Sequence, residues 1–194
     1  LLQQASAALS DKEPALPKHS DNKSLLILIR RPRASDGHAI WDLQVPDGRS
    51  RTAIVQEAVP ALTTRFADTS LVAEIGGELV AFVGAHRPAS LQPALIVWQI
   101  DVAPAVRQRG LGSALLHALI QCPGCAGIEY VEATVHRSNA AGRRLFESFA
   151  RDLRTGCEVN AGVASSRHGD TDLLRIGPIR IENAMKLEKP HEAL

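Results

Sequence analysis

The stretch 94-ALIVWQIDVAPAVRQRGLGSALLHAL-119 carries three instructions in a row. Ala94 to Val102 is a nearly unbroken apolar run, the pattern of a central strand covered on both faces. Pro104 helps to end it. Leu111, Leu115, Ala118 and Leu119 then recur at helical spacing and mark one helix face. Between strand and helix stand Arg107, Arg109, Gly110 and Gly112. A turn that opens a helix leaves backbone N–H groups unpaired, with the positive end of the helix dipole behind them. Such a place takes phosphate. Glycines at 110 and 112 let the backbone come close to a ligand, and the two arginines add charge-assisted contacts. A pyrophosphate suits the site. The spacing is R-x-x-G-x-G. It is not a P-loop, because no Lys-Ser or Lys-Thr follows the glycines. It is not a dinucleotide fingerprint either, because Leu115 stands where the third glycine belongs.

Working outward, Ser24 to Arg31 (SLLILIRR) reads as a buried strand. Ser35 is placed to cap a short helix over 35–43, with Ile40 and Leu43 on one face. Residues 44–51 read as a loop and 52–68 as a helix that Pro60 kinks or divides. Residues 70–86 hold two β-rich runs around Gly76-Gly77, a hairpin signal. After 94–120 the helix stops near Cys122-Pro123-Gly124. Residues 127–135 predict a strand, and 137–153 a helix whose apolar side is Leu145, Phe146 and Phe149. Residues 154–170 are rich in Gly and Ser and show no pattern, and 171–181 contain a last strand. The order β-α-α-β-β-β-α-β-α-β is a mixed α/β domain. An antiparallel meander leads into one strand–helix–strand unit, whose strands pair in parallel by a right-handed crossover.

Length and composition agree with one domain. The 194 residues are 45% hydrophobic, enough for an ordinary core. Lys and Arg number 22 against 21 Asp and Glu, a net charge of +1. That balance argues against a dedicated nucleic-acid binder and leaves room for a local basic site. Three cysteines, an odd count, suggest a reduced, cytoplasmic protein. The CPGC at 122–125 has no second pair or nearby His pair to complete a zinc site, so no metal is expected. No apolar run is long enough to span a bilayer. The expected organisation is a flexible tail over 1–23, a single domain over 24–181 and a C-terminal tail over 182–194.

The R-x-x-G-x-G turn, the strand before it and SNAAGRRLF (138–146) together resemble the GNAT superfamily of N-acetyltransferases. The resemblance covers roughly residues 25–150. It implies a mixed, mostly antiparallel central sheet with one parallel, splayed strand pair, flanked by helices. It also implies acetyl-CoA as co-substrate. Ile100, Asp101 and Val102 would line the pantetheine arm. Arg107, Gln108, Arg109, Gly110, Leu111, Gly112 and Ser113 would wrap the pyrophosphate, and Asn139 would contact the cofactor. Stretches 29–43, 65–74, 97–112, 125–153 and 172–178 are similar to the diaminobutyrate acetyltransferases of ectoine biosynthesis. This narrower resemblance implies transfer of acetyl to the 4-amine of L-2,4-diaminobutyrate, and a homodimer. It places Trp98 and His168 at the acceptor. That family carries an Asp-Leu-Asn-Ser-Ser-Tyr-like segment where this chain has RSRTAIVQEAV (49–59), without the Tyr. Two other readings stand beside it: a GNAT enzyme for another small amine, and a non-catalytic acyl-CoA sensor.

An alkyl ammonium has a pKa near 10, so exposing the neutral amine at pH 7 costs about 4 kcal/mol. A base must take that proton. Glu132, on the strand facing the splay, is the first choice and Asp101 the second, with a surface His136 behind them. Many GNAT enzymes place a Tyr on the helix after the Asn to protonate the leaving thiolate, and here that position is Phe146. Trp98 reads equally as a core tryptophan. Glu57, Asp47 and Asp170 are the acidic groups available to a second ammonium.

Overall fold

The computed structural model describes residues 26–44, 66–89, 93–161 and 170–180. The two expected tails, most of the helix over 52–68, the segment 49–59 with Glu57, Asp47 and His168 lie outside them.

Among the described residues seven strands form one sheet: β1 (Ile27–Arg30), β2 (Ser70–Ile75), β3 (Glu78–His86), β4 (Ala94–Val102), β5 (Tyr130–His136), β6 (Gly156–Ala161) and β7 (Thr171–Gly177). Their order across the sheet is β1-β2-β3-β4-β5-β7-β6. All neighbours are antiparallel except β4 and β5. The expected hairpin stands at β2–β3, where Gly76 and Gly77 have φ of 61° and 86°, the left-handed pair that a tight two-residue turn needs. Among the described residues three α-helices accompany the sheet: α1 (Gly37–Gln44), α2 (Leu111–Ile120) and α3 (Ala140–Asp152).

The sheet has an apolar layer on each face. On one, Leu95, Val97, Val131 and Ala133 pack with Leu115, Leu116 and Leu119 of α2 and with Phe146 and Phe149 of α3. On the other, Val72 and Phe82 pack with Ile40 of α1, and Trp98 joins them partly buried. Alternation along the strands, period two, distributes residues between these layers.

Three expectations are corrected. The 24–31 run is not a buried strand. β1 is the sheet edge and pairs with β2 alone, leaving Ile27 and Leu28 about half exposed, at 47% and 54%. Residues 156–161, read as unpatterned, form β6. This edge strand is held by its ladder to β7 and buries almost no side chain, so hydrophobic alternation had nothing to report. The helix start at Ser35 is a 3₁₀ turn over Ala34–Asp36 that leads into α1. There the Asp36 carboxylate, not the Ser35 hydroxyl, accepts the Arg33 N–H at 2.6 Å.

Candidate active site

β4 and β5 are paired only over Ala94–Val97 and Tyr130–Ala133. Beyond Val97 and Ala133 the strands part. β5 goes on pairing with β7, and β4 with β3. A bulge coincides with the parting point. Gly84 pairs with Gln99 and Ala85 with Val97, so Trp98 is the extra residue on β4. A bulge of this kind re-aims side chains. Phe82 pairs with Asp101 and lies in the α1 layer with Trp98. The partner relation therefore sends Gln99 and Asp101 to that same face. Trp98 and Gln99, although consecutive, share a side.

The backbone of the splayed segment alternates as a strand must. The Ala103 N–H donates to the Val80 carbonyl at 2.8 Å, toward β3. The Ile100 and Val102 N–H groups then point the other way, into the gap left by β5. The Val102 carbonyl accepts the Arg107 Nε–H at 2.9 Å. Arg107 thus ties the turn to the end of the strand.

The expected anion cradle falls on the turn that follows β4. Gln108 and Gly110 both take positive φ, 61° and 80°, while Arg107 is extended. Among the described residues, no backbone N–H from Gln108 to Ser113 finds an acceptor; the first helical bond is Ala114 N–H to the Gly110 carbonyl, 2.9 Å. Successive N–H groups in a tight turn at a helix N-terminus make a concavity for an anion. The two glycines have different reasons. At Gly110 a Cβ would meet nothing within 4 Å, and the residue is glycine for its φ. At Gly112 a Cβ would sit 3.3 Å from Leu145 Cδ2. Its smallness therefore serves the packing of α2 on α3.

Asn139 caps α3: its Oδ1 accepts the Gly142 N–H at 2.8 Å, so the helix starts at Ala140 rather than 137. Phe146 is 3% exposed in the core and offers no hydroxyl. His136 Nδ1 lies 2.7 Å from Ser138 Oγ in the turn before α3.

The two carboxylates named as bases lie on the α1 face but differ in setting. Glu132 belongs to the paired part of β5, opposite Ile96 and Arg175, and its carboxylate is 3.5 Å from the Arg175 guanidinium. It stands on β5, the strand across the gap, one residue before the strands part. Asp101 stands on the splayed segment. Burial pushes its carboxyl above the ordinary value of 3.8, against the opposing pull of Gln99, whose Nε2–H donates at 2.7 Å, and of the Arg107 charge. Trp98 is half-buried and meets Phe82 edge-on, ring centroids 6.3 Å apart. It is a packed residue and a wall of the opening at once. Asp170 is ion-paired with Arg137 at 3.5 Å.

Sequence reasoning missed Gln99, although its i, i+2 spacing from Asp101 on a strand was a usable signal. It also missed the fork of Arg30 on Asp36, 2.7 and 2.9 Å, with Glu74 on its other side. Those partners lie 6 and 44 residues away, and no local pattern joins them.

A parallel pair splayed beside a helix-opening turn of unpaired N–H groups points to a class. The chain belongs to the acetyltransferase (GNAT) family, which it matches over residues 38–150. It is 35% identical over 160 residues to L-2,4-diaminobutyric acid acetyltransferase of Shouchella clausii, covering 80% of this chain and 89% of that protein. The same name belongs to a Halalkalibacterium halodurans relative, also 35% identical, with coverage of 79% and 82%. Among solved structures, the diaminobutyrate acetyltransferase of Paenibacillus lautus, in complex with L-2,4-diaminobutyric acid and coenzyme A, superposes with a TM-score of 0.73 at 33% identity. That match covers 80% of this chain and 96% of the other. The Escherichia coli ribosomal-protein-S18-alanine N-acetyltransferase, at 17% identity and a TM-score of 0.60, shares the fold. No helix among the described residues is long and apolar enough to cross a membrane.

Proposed function

We propose that this protein transfers acetyl from acetyl-CoA to the 4-amino group of L-2,4-diaminobutyrate, giving 4-acetamido-2-aminobutanoate, the acetylation step of ectoine biosynthesis. The observation that carries this reading is the opening of β4 away from β5 after Val97, with the unpaired N–H groups of 108–113 at its far end. The cradle holds the pyrophosphate, with Arg109 adding charge. The N–H groups of Ile100 and Val102 hold the amides of the pantetheine arm as a missing strand would, and Asn139 sits across the gap at the head of α3. This lays the thioester at the parting point. The acceptor comes from the opposite face, the α1 side, where Trp98 and Asp101 stand.

Asp101 takes the ammonium proton. Its burial makes the carboxylate a stronger base than an exposed one, and Gln99 fixes the carboxylate's orientation. Glu132, committed to Arg175, supplies negative charge that favours the cationic amine nearby. The neutral amine attacks the thioester carbonyl, and a β4 N–H directed into the gap stabilises the oxyanion. The C–S bond breaks, the newly acylated nitrogen gives its extra proton to solvent, and the departing thiolate takes a proton from solvent, since Phe146 has none to give. The transfer needs no metal. His168 completes the acceptor site in this reading, and the family resemblance extends it to a homodimer in the cytoplasm.

Thiol release from acetyl-CoA, measured with diaminobutyrate beside ornithine, lysine and spermidine, tests this. Release with diaminobutyrate far above the other three is the expected result. Release with another amine alone would move the chain to a different acceptor. Acetyl-CoA binding without release from any amine would make it a sensor.

A further inference from the structure

Gly84 lies in the middle of β3, where glycine weakens a strand and therefore asks for a reason. Its backbone is not the reason: Gly84 is not among the positive-φ glycines, so any residue could adopt its conformation. Space is. A Cβ built on Gly84 would stand 2.7 Å from Trp98 Cζ2, 2.9 Å from Trp98 Cε2 and 2.8 Å from Phe82 Cζ. The indole lies where that Cβ would be. Gly84 is also the partner of Gln99 at the bulge, so the missing side chain and the extra residue face each other across the ladder.

We propose that Gly84 is a positioning residue for the acetyl transfer: its missing Cβ lets the Trp98 indole lie flat on the sheet at the parting point of β4 and β5, and so sets the depth of the acceptor pocket. The role in transfer rests on the acceptor site proposed above; the role in seating the indole does not. Of the two rings in the way, Phe82 is fully buried against Ile40 and Val72, whereas Trp98 is half-buried beside the gap. A methyl at 84 therefore lifts the indole, into the volume the amine must enter.

The test is Gly84→Ala, made both in the native chain and in Trp98→Leu. In the native chain, kcat/KM for diaminobutyrate falls about 10- to 100-fold, the cost of an ångström-scale misplacement, while Kd for coenzyme A changes by less than about twofold. In Trp98→Leu, already impaired, adding Gly84→Ala costs less than in the native chain, because the two indole contacts are gone and only the Phe82 Cζ contact remains. The emission and near-ultraviolet dichroism of Trp98, read in a Trp41→Phe background, shift on Gly84→Ala. An equal further loss in both backgrounds, or an unmoved Trp98 signal in a folded Gly84→Ala protein, overturns the proposal. If Gly84→Ala alone fails to fold, recovery of the fold by Trp98→Leu supports the steric coupling, and failure in both backgrounds overturns it. Should the native enzyme leave diaminobutyrate untouched, the acceptor reading fails, while the Trp98 signal still decides whether Gly84 seats the indole.

Discussion

In the mechanism proposed above, Asp101 trades stability for chemistry. Burial disfavours its charged form, so its carboxyl titrates above the ordinary value of 3.8. In the folded state it holds a proton more tightly than in the unfolded chain. Its linkage to stability therefore runs opposite to that of a paired carboxylate: the fold loses stability as pH rises through the raised pKa and regains it below. The same shift makes the ionised form a better acceptor for the ammonium proton. Asp101→Asn should raise Tm at pH 7, with the gain shrinking as the solution is acidified. It should also lower kcat by about 10² to 10⁴-fold and remove the acid limb of the rate profile. Thermal melts and initial rates across pH read both effects from one variant. A lower Tm at neutral pH, or an acid limb that survives, assigns the proton to another group. Glu132→Gln serves as the comparison: with its carboxylate committed to Arg175, it should slow the enzyme while leaving the acid limb in place.

At the scale of elements, the sequence was readable wherever a period or a turn residue reported burial. β4 falls at 94–102 as its apolar run predicted, and the Gly76-Gly77 hairpin and the leucine face of α2 were equally plain. β6 was not, because a strand that buries almost nothing leaves no hydrophobic period. β1 was read as covered because its apolar residues look central, while the structure leaves it at an edge. The cradle was legible as a motif, but the division of labour between its glycines was not, since it depends on Leu145, which a distant helix brings in. That division makes a prediction. Gly110→Ala puts a side chain on a residue at φ 80°, costing roughly 1–2 kcal/mol in the conformation that points the N–H groups at the ligand. If the turn relaxes to avoid that cost, coenzyme A binding should weaken by about tenfold, since 1.4 kcal/mol is one decade. Gly112→Ala crowds Leu145 instead, so it should lower Tm and leave the Kd nearly unchanged. Calorimetric titration of both variants with coenzyme A separates the two roles. Equal weakening would return Gly112 to the ligand side.

For the whole molecule, the sheet acts as a partition. The α2–α3 face carries the cradle and its supporting core, and the α1 face carries Trp98, Asp101 and the α1 layer. The splay where β4 leaves β5 opens between the two faces. What holds α1 to its face is largely electrostatic at one end. Arg30 of β1 forks onto Asp36, at the entry to α1, and also binds Glu74 of β2. The Arg30 hydrogen bonds hold the Asp36 carboxyl below its ordinary value of 3.8. The stability it contributes is present above that value and is lost as pH falls through the lowered pKa, the reverse of Asp101. Asp36→Asn should therefore destabilise the protein at pH 7 by about 2–3 kcal/mol, the range for charge-assisted bonds left without one partner. The deficit should close as pH falls through the lowered pKa, where native Asp36 loses its charge as well. Because the damage falls on the α1 face, affinity for coenzyme A should hold while kcat/KM for the amine drops. Denaturant melts at several pH values, paired with coenzyme A titration at neutral pH, decide this. Loss of coenzyme A affinity in step with stability would show that the two faces are coupled through the sheet, and that the partition is structural without being functional.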